Sequence, residues 1–285
     1  MDPKPIVVSV CCITYNHENF IRQAIEGFLM QKTNFLFEII ISDDCSTDNN
    51  REIINTYIEQ HPGKIRLLTS ATNTGSHKNM IRCIGAAKGS YIAKCEGDDY
   101  WSDPDKLQKQ VDFLKRNPNY VICCHYTRVI DVKGNTIHVE PDPKPLKYSF
   151  LDLLIGKQVE TKTATILYRN TPAVNKIFSE PWYLSCFAGD KFFKLWATRN
   201  TGLSIYVMPE VMSCYRNHPG GIWSMIDDKV RLKMMISDFN LIIRLFTYPE
   251  AYKKKLMLLY LRRYLLFEIM NKDFKKAFQT IKYLA

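Results

Sequence analysis

Two common nucleotide-binding signatures are missing from this sequence: it contains neither GxGxxG nor GxxxxGK[ST]. Both depend on glycines that let backbone approach phosphate, so a dinucleotide Rossmann site and a P-loop are excluded. No apolar run approaches the ~20 residues that a membrane-spanning helix needs. The first residues, Met1-Asp2-Pro3-Lys4-Pro5, pass straight into an apolar run without the basic and apolar segments of a signal peptide. Nine cysteines are present, but none has CxxC spacing and most lie inside apolar runs. They read as reduced thiols, which excludes a disulfide framework and a zinc site and gives a cytoplasmic expectation. Internal repeats and low-complexity segments are also missing.

What is present is a chain of 285 residues with 46% hydrophobic content, ample for a core. At about 150 residues per domain, this length fits two domains, or one large α/β domain with an appendage. The formal net charge is +10, and its placement is uneven. Residues 226–285 carry thirteen Lys or Arg against six Asp or Glu, a local surplus of +7. A basic amphipathic tail suits an anionic partner such as a membrane surface, or is a solvated helix face.

Residues 7–14 are nearly all apolar and β-branched, as in a strand covered on both faces. A polar turn follows, and then 18–30 shows helical spacing through Phe20, Ile21, Ala24, Ile25, Phe28 and Leu29. The pattern repeats: strand 37–42, helix through Ile53 to Ile58, strand 65–68, helix 80–87, strand 91–95. Alternation at this pitch implies right-handed βαβ crossovers and a mostly parallel sheet flanked by helices. Ligands of such sheets gather at the carboxyl ends of strands, where Thr14 to Asn16, Asp43 to Asp48 and Glu96 to Asp99 all fall.

The last of these clusters organises the rest. A short apolar run ends in Glu96-Gly97-Asp98-Asp99, and adjacent carboxylates repel. Held together, they need a cation, a shared proton or open water; a divalent metal bridging a phosphate is the usual functional answer, and a solvated turn the bland one. Gly97 suits a close approach of backbone to ligand, and Tyr100 with Trp101 suits a pocket wall.

Beyond it, Asp103 is expected to cap a helix with Pro104 at its first position, ending near Arg116. Segments 120–132 and 136–140 read as a hairpin, and Pro141, Pro143 and Pro145 as a stiff connector. A strand is expected at 163–168, a helix at 190–197, two short strands at 205–208 and 211–215, and helices from 227 with a break at Tyr248-Pro249.

With these pieces placed, the sequence resembles the family-two glycosyltransferases of GT-A fold, an α/β class with a Rossmann-like sheet. The resemblance rests on 8–16 ending Thr-Tyr-Asn, on 41–48, on Asn73-Thr74-Gly75 followed by Asn79, on 87–92, on Glu96 to Trp101 with Asp103-Pro104, on Gly189-Asp190-Lys191, and on 215–224. It covers roughly 6–224 and leaves the C-terminal helices unmatched. It implies a catalytic domain at 1–224, with a donor half at 1–140 and an acceptor half at 141–224, then a helical extension at 225–285.

The resemblance further implies that Asp44 contacts the nucleotide base, with Thr14 and Tyr15 shaping that pocket and Asn79 and Asp98 also on the nucleotide. Asp43 is then a turn-former. The metal motif implies Asp98 and Asp99 as ligands of Mn²⁺ or Mg²⁺, with His218 beside the metal and phosphates. Here Glu96 stands at the motif's first position, which keeps a carboxylate. Lys78 and Arg216 are further phosphate candidates or solvated cations. On this reading Asp190, at a helix start anchored by Phe192, Phe193, Leu195 and Trp196, is the general base of an inverting transfer; its bland alternative is a helix cap.

The expected activity is sugar transfer from a nucleotide diphosphate sugar to a saccharide or lipid-linked saccharide acceptor, in cell-surface polysaccharide synthesis. Peripheral membrane contact through the basic C-terminal helices would place it at the inner face of the membrane. A sugar nucleotidyltransferase is a rival, but its Gly-rich basic loop is replaced by Tyr15-Asn16-His17-Glu18. A nucleic-acid-binding module is another, and acidic clusters at the site end speak against it.

Overall fold

The computed structural model describes residues 4–221 and 226–285. The end of the last motif, 222–224, and the expected boundary after residue 224 therefore touch residues outside the described ones. One mixed sheet forms the centre, in the order β3-β2-β1-β4-β9-β6-β10-β5, with β7 beside β6 and β8 beside β10. Its strands are β1 (Ile6–Thr14), β2 (Leu36–Asp43), β3 (Ile65–Thr69), β4 (Tyr91–Glu96), β5 (Tyr100–Trp101), β6 (Tyr120–Ile130), β7 (Thr136–His138), β8 (Leu146–Tyr148), β9 (Leu167–Arg169) and β10 (Ser204–Arg216). The six longer strands outside β5 and β7–β9 share one direction; the short ones run against them. The sheet is thus mostly parallel, as the alternating pattern requires.

Helices α1 (Ile21–Leu29), α2 (Asn50–Gln60), α3 (Ser76–Gly85) and α4 (Lys106–Arg116) make the crossovers of the first half. After them come α5 (Phe150–Leu154), α6 (Pro172–Asn175) and α7 (Gly189–Thr201). The C-terminal part holds α8 (Asp228–Leu245), α9 (Ala251–Tyr260), α10 (Leu266–Met270) and α11 (Phe274–Leu284), with a π-helical segment Leu261–Leu265 joining α9 to α10. Two cores form, one on each face of the sheet. One contains Phe28, Ile39, Ile41 and Trp101. The other contains Tyr168, Phe192 and Phe193, and continues into Phe239, Tyr260 and Tyr264 of the C-terminal helices. Each such side chain, fully buried, contributes roughly 1.5–3 kcal/mol over leaving it exposed.

Several local expectations are corrected. The helix after Trp101 starts at Lys106, because Gln31 reaches across from the end of α1: its Oε1 accepts Leu107 N–H at 3.1 Å and its Nε2 donates to Asp103 O at 2.8 Å. Asp103 instead binds Asp105 N–H and Lys109 Nζ, each at 2.7 Å. The strand expected at 163–168 is a 3-10 turn, Thr163–Thr165, followed by β9, which fits antiparallel between β4 and β6. The strands at 205–208 and 211–215 are one strand, β10, whose register against β6 shifts between Met208 and Val211. Trp101 lines no pocket: it is 1% exposed, with Nε1 on Ala164 O at 2.9 Å. All nine cysteines are free.

Candidate active site

The register sets Thr14 beside Asp43, and Ile13 beside Glu96, so three acidic or polar strand ends share one edge. Two residues there take positive φ, Asn16 (54°) and Cys45 (67°), which turns the chain sharply after β1 and β2. Asn16 Oδ1 accepts Thr47 N–H at 2.8 Å and fastens one loop to the other. Asp43 is the expected turn-former: it is fully buried and accepts from Ser46 N, Asn50 Nδ2 and Arg51 Nε. Burial pushes its pKa upward, but these donors outweigh it and hold the carboxyl below the usual range.

Asp44 is 2% exposed and takes four donors: Thr74 Oγ1 and Ser70 Oγ on Oδ1, Thr74 N and Gly75 N on Oδ2. They overcome burial and keep its pKa low. The carboxylate thereby fixes the Asn73-Thr74-Gly75 loop over the strand edge. Asn79 is also buried, with Nδ2 on Ser42 O and Oδ1 accepting from Arg82. Tyr15 stands 41% exposed at the mouth. Lys78 is exposed. Arg216 is built into the structure instead: 4% exposed, its Nε donates to Asp98 O, and its guanidinium lies 4.8 Å from the Phe20 ring.

The acidic motif is charge-strained. Burial and the nearby Asp98 push Glu96 up to about 7. Burial, then Asp98 and Glu96, raise Asp99 well above the carboxylate range; its Oδ1 accepts Arg216 N–H at 2.8 Å. Asp98 differs: burial works against it, yet the imidazoles of His218 and His17 hold its pKa down. His218 Nε2 is 3.0 Å and His17 Nε2 3.8 Å from the same Oδ2. Gly97 does allow a close approach, but to a side chain: a Cβ there would stand 2.7 Å from Thr14 Oγ1.

A divalent cation suits this edge, since it would relieve carboxylates that repel one another in low dielectric. Among the described residues, no three His, Cys, Asp or Glu side chains form a ready ligand cage. Mn²⁺ or Mg²⁺ in phosphate sites is held by one or two protein groups plus phosphate oxygens, and the carboxylate and imidazole of Asp98 and His218 fit that demand. Asp99, the other expected ligand, has one carboxylate oxygen engaged by Arg216 N–H.

Across the site, α7 carries Asp190 in its first turn. The N-cap residue is Ala188, and no side chain caps it. Asp190 Oδ2 instead accepts Lys194 Nζ at 2.8 Å, and the same ammonium donates to Thr161 O and Oγ1. Burial opposes ionisation of Asp190, but Lys194, and then Lys94, hold its pKa below the usual range. The chain just before α7 is anchored from α8: Asp238, 4% exposed, accepts Phe187 N–H and Ala188 N–H, both at 2.8 Å. A Cβ at Gly189 would lie 2.6 Å from His77 Nε2, so a larger residue there would displace that imidazole.

The sequence reading missed His17, Lys94, Lys194 and Asp238. The Asp190–Lys194 spacing of one helical turn was a legible signal for Lys194. Asp238 lies 48 positions beyond Asp190 with no local signal, and joins it only through tertiary packing.

Comparison with known proteins bears directly on this geometry. The model of glycosyl transferase family 2 matches residues 9–178. An uncharacterized protein of Mycobacterium tuberculosis is 37% identical over 220 residues, 76% of this chain and 60% of the relative. The chain thus spans less than two thirds of that relative. The putative teichuronic acid biosynthesis glycosyltransferase TuaG of Bacillus subtilis is 35% identical over 111 residues, 39% of this chain and 42% of that protein. Two solved structures share the fold. TarS 1–349 of S. aureus, in complex with UDP-GlcNAc, has a TM-score of 0.67 at 18% identity, covering 92% of this chain and 73% of that one. The mannosyltransferase PcManGT of Pyrobaculum calidifontis, in complex with GDP-Man and Mn2+, has a TM-score of 0.66 at 16% identity, covering 99% and 74%.

Proposed function

Because the chain belongs to glycosyl transferase family 2, we propose that it moves a sugar from a nucleoside-diphosphate sugar to an acceptor hydroxyl, with inversion at the anomeric carbon and dependence on Mn²⁺ or Mg²⁺. The observation that carries this reading is the division of acids: Asp98 with His218 on one side, and Asp190, ionised and clamped, on α7.

On this reading Asp44 and Asn79 fix the walls of the base pocket, Thr14 shapes its floor and Tyr15 covers its mouth. The cation, held by Asp98 and His218, would neutralise charge on the departing diphosphate. Asp99 acts from behind, bound to the backbone of Arg216. Asp190 takes the proton of the acceptor hydroxyl as its oxygen bonds to the anomeric carbon and the bond from that carbon to phosphate oxygen breaks. Lys194 and Thr161 hold that carboxylate in one rotamer, which supplies orientation at little entropic cost during the reaction.

The division into donor half 1–140, acceptor half 141–224 and extension 225–285 belongs to the same proposal. The acceptor is read as a saccharide, lipid-linked and at the inner face of the membrane, in cell-surface polysaccharide synthesis. Supporting this, the +7 surplus of the C-terminal tail lies within residues 253–285, where nine cations face two acids. The same helices expose Leu266, Met270, Phe274 and Phe278. No helix among the described residues is long and apolar enough to cross a membrane, so contact would be interfacial.

The test is product release from a panel of sugar nucleotides with Mn²⁺. Nucleoside diphosphate release supports the transferase. Pyrophosphate release would indicate a nucleotidyltransferase, and no release from any donor would contradict the proposal.

A further inference from the structure

Lys94 stands on β4 two residues before Glu96, so strand alternation sets both side chains on one face of the sheet. On that face lies α7, with the Phe193 ring centroid 4.8 Å from Lys94 Nζ. Lys94 is 3% exposed. Burial lowers its pKa, and the charges of Glu96 and then Asp190 oppose the shift. His77 feels the same charge. Yet among the described residues Lys94 Nζ has no hydrogen bond or ion pair, and ring contact alone holds it. Its neighbour Lys194 is the reverse, with three acceptors on one ammonium. Lys94 Nζ is not among the sealed side-chain atoms left without a partner, so its donors open to solvent and are available to a ligand.

We propose that Lys94 is a specificity-determining residue of the sugar subsite, its ammonium donating to hydroxyls of a neutral hexose carried by the donor. The inference rests on the transferase reading and adds the class of sugar. A hydroxyl accepts from an ammonium while donating to a carboxylate, so Lys94, with Glu96 on the same face of β4, matches neighbouring hydroxyls of one ring. A uronate would bring another negative charge to the face that carries Glu96, so a neutral ring is the better match.

The experiment is calorimetric titration of wild type and Lys94→Met, in Mn²⁺, with UDP, UDP-glucose, UDP-GlcNAc, UDP-glucuronate, GDP and GDP-mannose. Methionine keeps an unbranched apolar stem and removes the buried charge, so the melting temperature should hold or rise. Wild type should bind one neutral sugar nucleotide tighter than its bare nucleoside diphosphate, and tighter than UDP-glucuronate. In Lys94→Met the bare nucleotide should bind as before, while the gain from the sugar falls roughly tenfold. Lys94→Gln, which keeps donors, should recover part of it. A sugar contribution unchanged in Lys94→Met, or a wild-type preference for UDP-glucuronate, overturns the inference while leaving the transferase intact. Loss of bare-nucleotide affinity together with melting temperature would make Lys94 purely structural and also overturn it. Wild type that binds no nucleotide contradicts the transferase reading itself.

Discussion

Lys194 Nζ lies 2.8 Å from Asp190 Oδ2, one turn along α7, and its other two donors are spent on Thr161. The ammonium is 3% exposed and the carboxylate 32%, so the pair is half-buried and water screens it only in part. Because the charge of Lys194 holds Asp190 low, Lys194→Met should raise the pKa of Asp190. The acid limb of the pH–rate profile should then move to higher pH, with nucleotide affinity unchanged. An unmoved acid limb would separate Lys194 from the base.

The metal claim is tested at Asp98 and His218. Asp98→Asn and His218→Ala should each reduce the Mn²⁺-dependent part of nucleotide binding by about 10- to 100-fold, with affinity in chelator unaffected. Wild-type affinity that is equal in Mn²⁺ and in chelator would remove the metal from the account. Asp99→Asn should keep the fold, since it still accepts Arg216 N–H and relieves repulsion, and should lower turnover.

Asp238 links the C-terminal helices to the start of α7, which carries Asp190. Asp238→Ala removes the acceptor of Phe187 N–H and Ala188 N–H, and a buried donor that loses its partner costs about 1–3 kcal/mol. Thermal melting should show that loss. Turnover should fall more than donor affinity does, because the chain ahead of Asp190 is released. Equal losses in kcat and in nucleotide binding would make Asp238 a general stabiliser.

Stability should depend on pH through Asp43 and Asp44. Both have folded pKa values below their unfolded ones, so their contribution is present above the unfolded value of about 3.9 and is lost as pH falls through the folded values. The melting temperature should drop below about pH 4, and less so in Asp43→Asn. A flat profile from pH 5 to 3 would contradict the assignment.

The C-terminal helices should bring the protein down with vesicles rich in anionic lipid at low salt, and release it at high salt. Replacing Phe274 and Phe278, exposed by 59% and 67%, with Ser should weaken this without altering turnover on a soluble acceptor. No co-sedimentation at low salt would leave that face for another use.

Much of the strand-end site was legible because it is made of local signals. Buried strands read as apolar runs, and their polar ends fell together once the alternation fixed a parallel sheet. Gln31 capping α4, β9 threading between β4 and β6, and Asp238 anchoring the start of α7 were not legible. Each joins residues dozens of positions apart, and local propensity carries no trace of the partner. Trp101 illustrates the limit in one residue: an aromatic beside an acidic motif suits a pocket wall or a core equally, and close packing against Phe28 at 4.8 Å decides for the core.

The most direct measurement is turnover of Asp190→Asn under saturating donor and Mn²⁺, beside its nucleotide affinity. Asparagine keeps the shape of the carboxylate but cannot take the proton. The account predicts a fall of roughly 10²- to 10⁴-fold in kcat, with nucleotide affinity nearly unchanged. Near-normal turnover would contradict it and leave the base elsewhere.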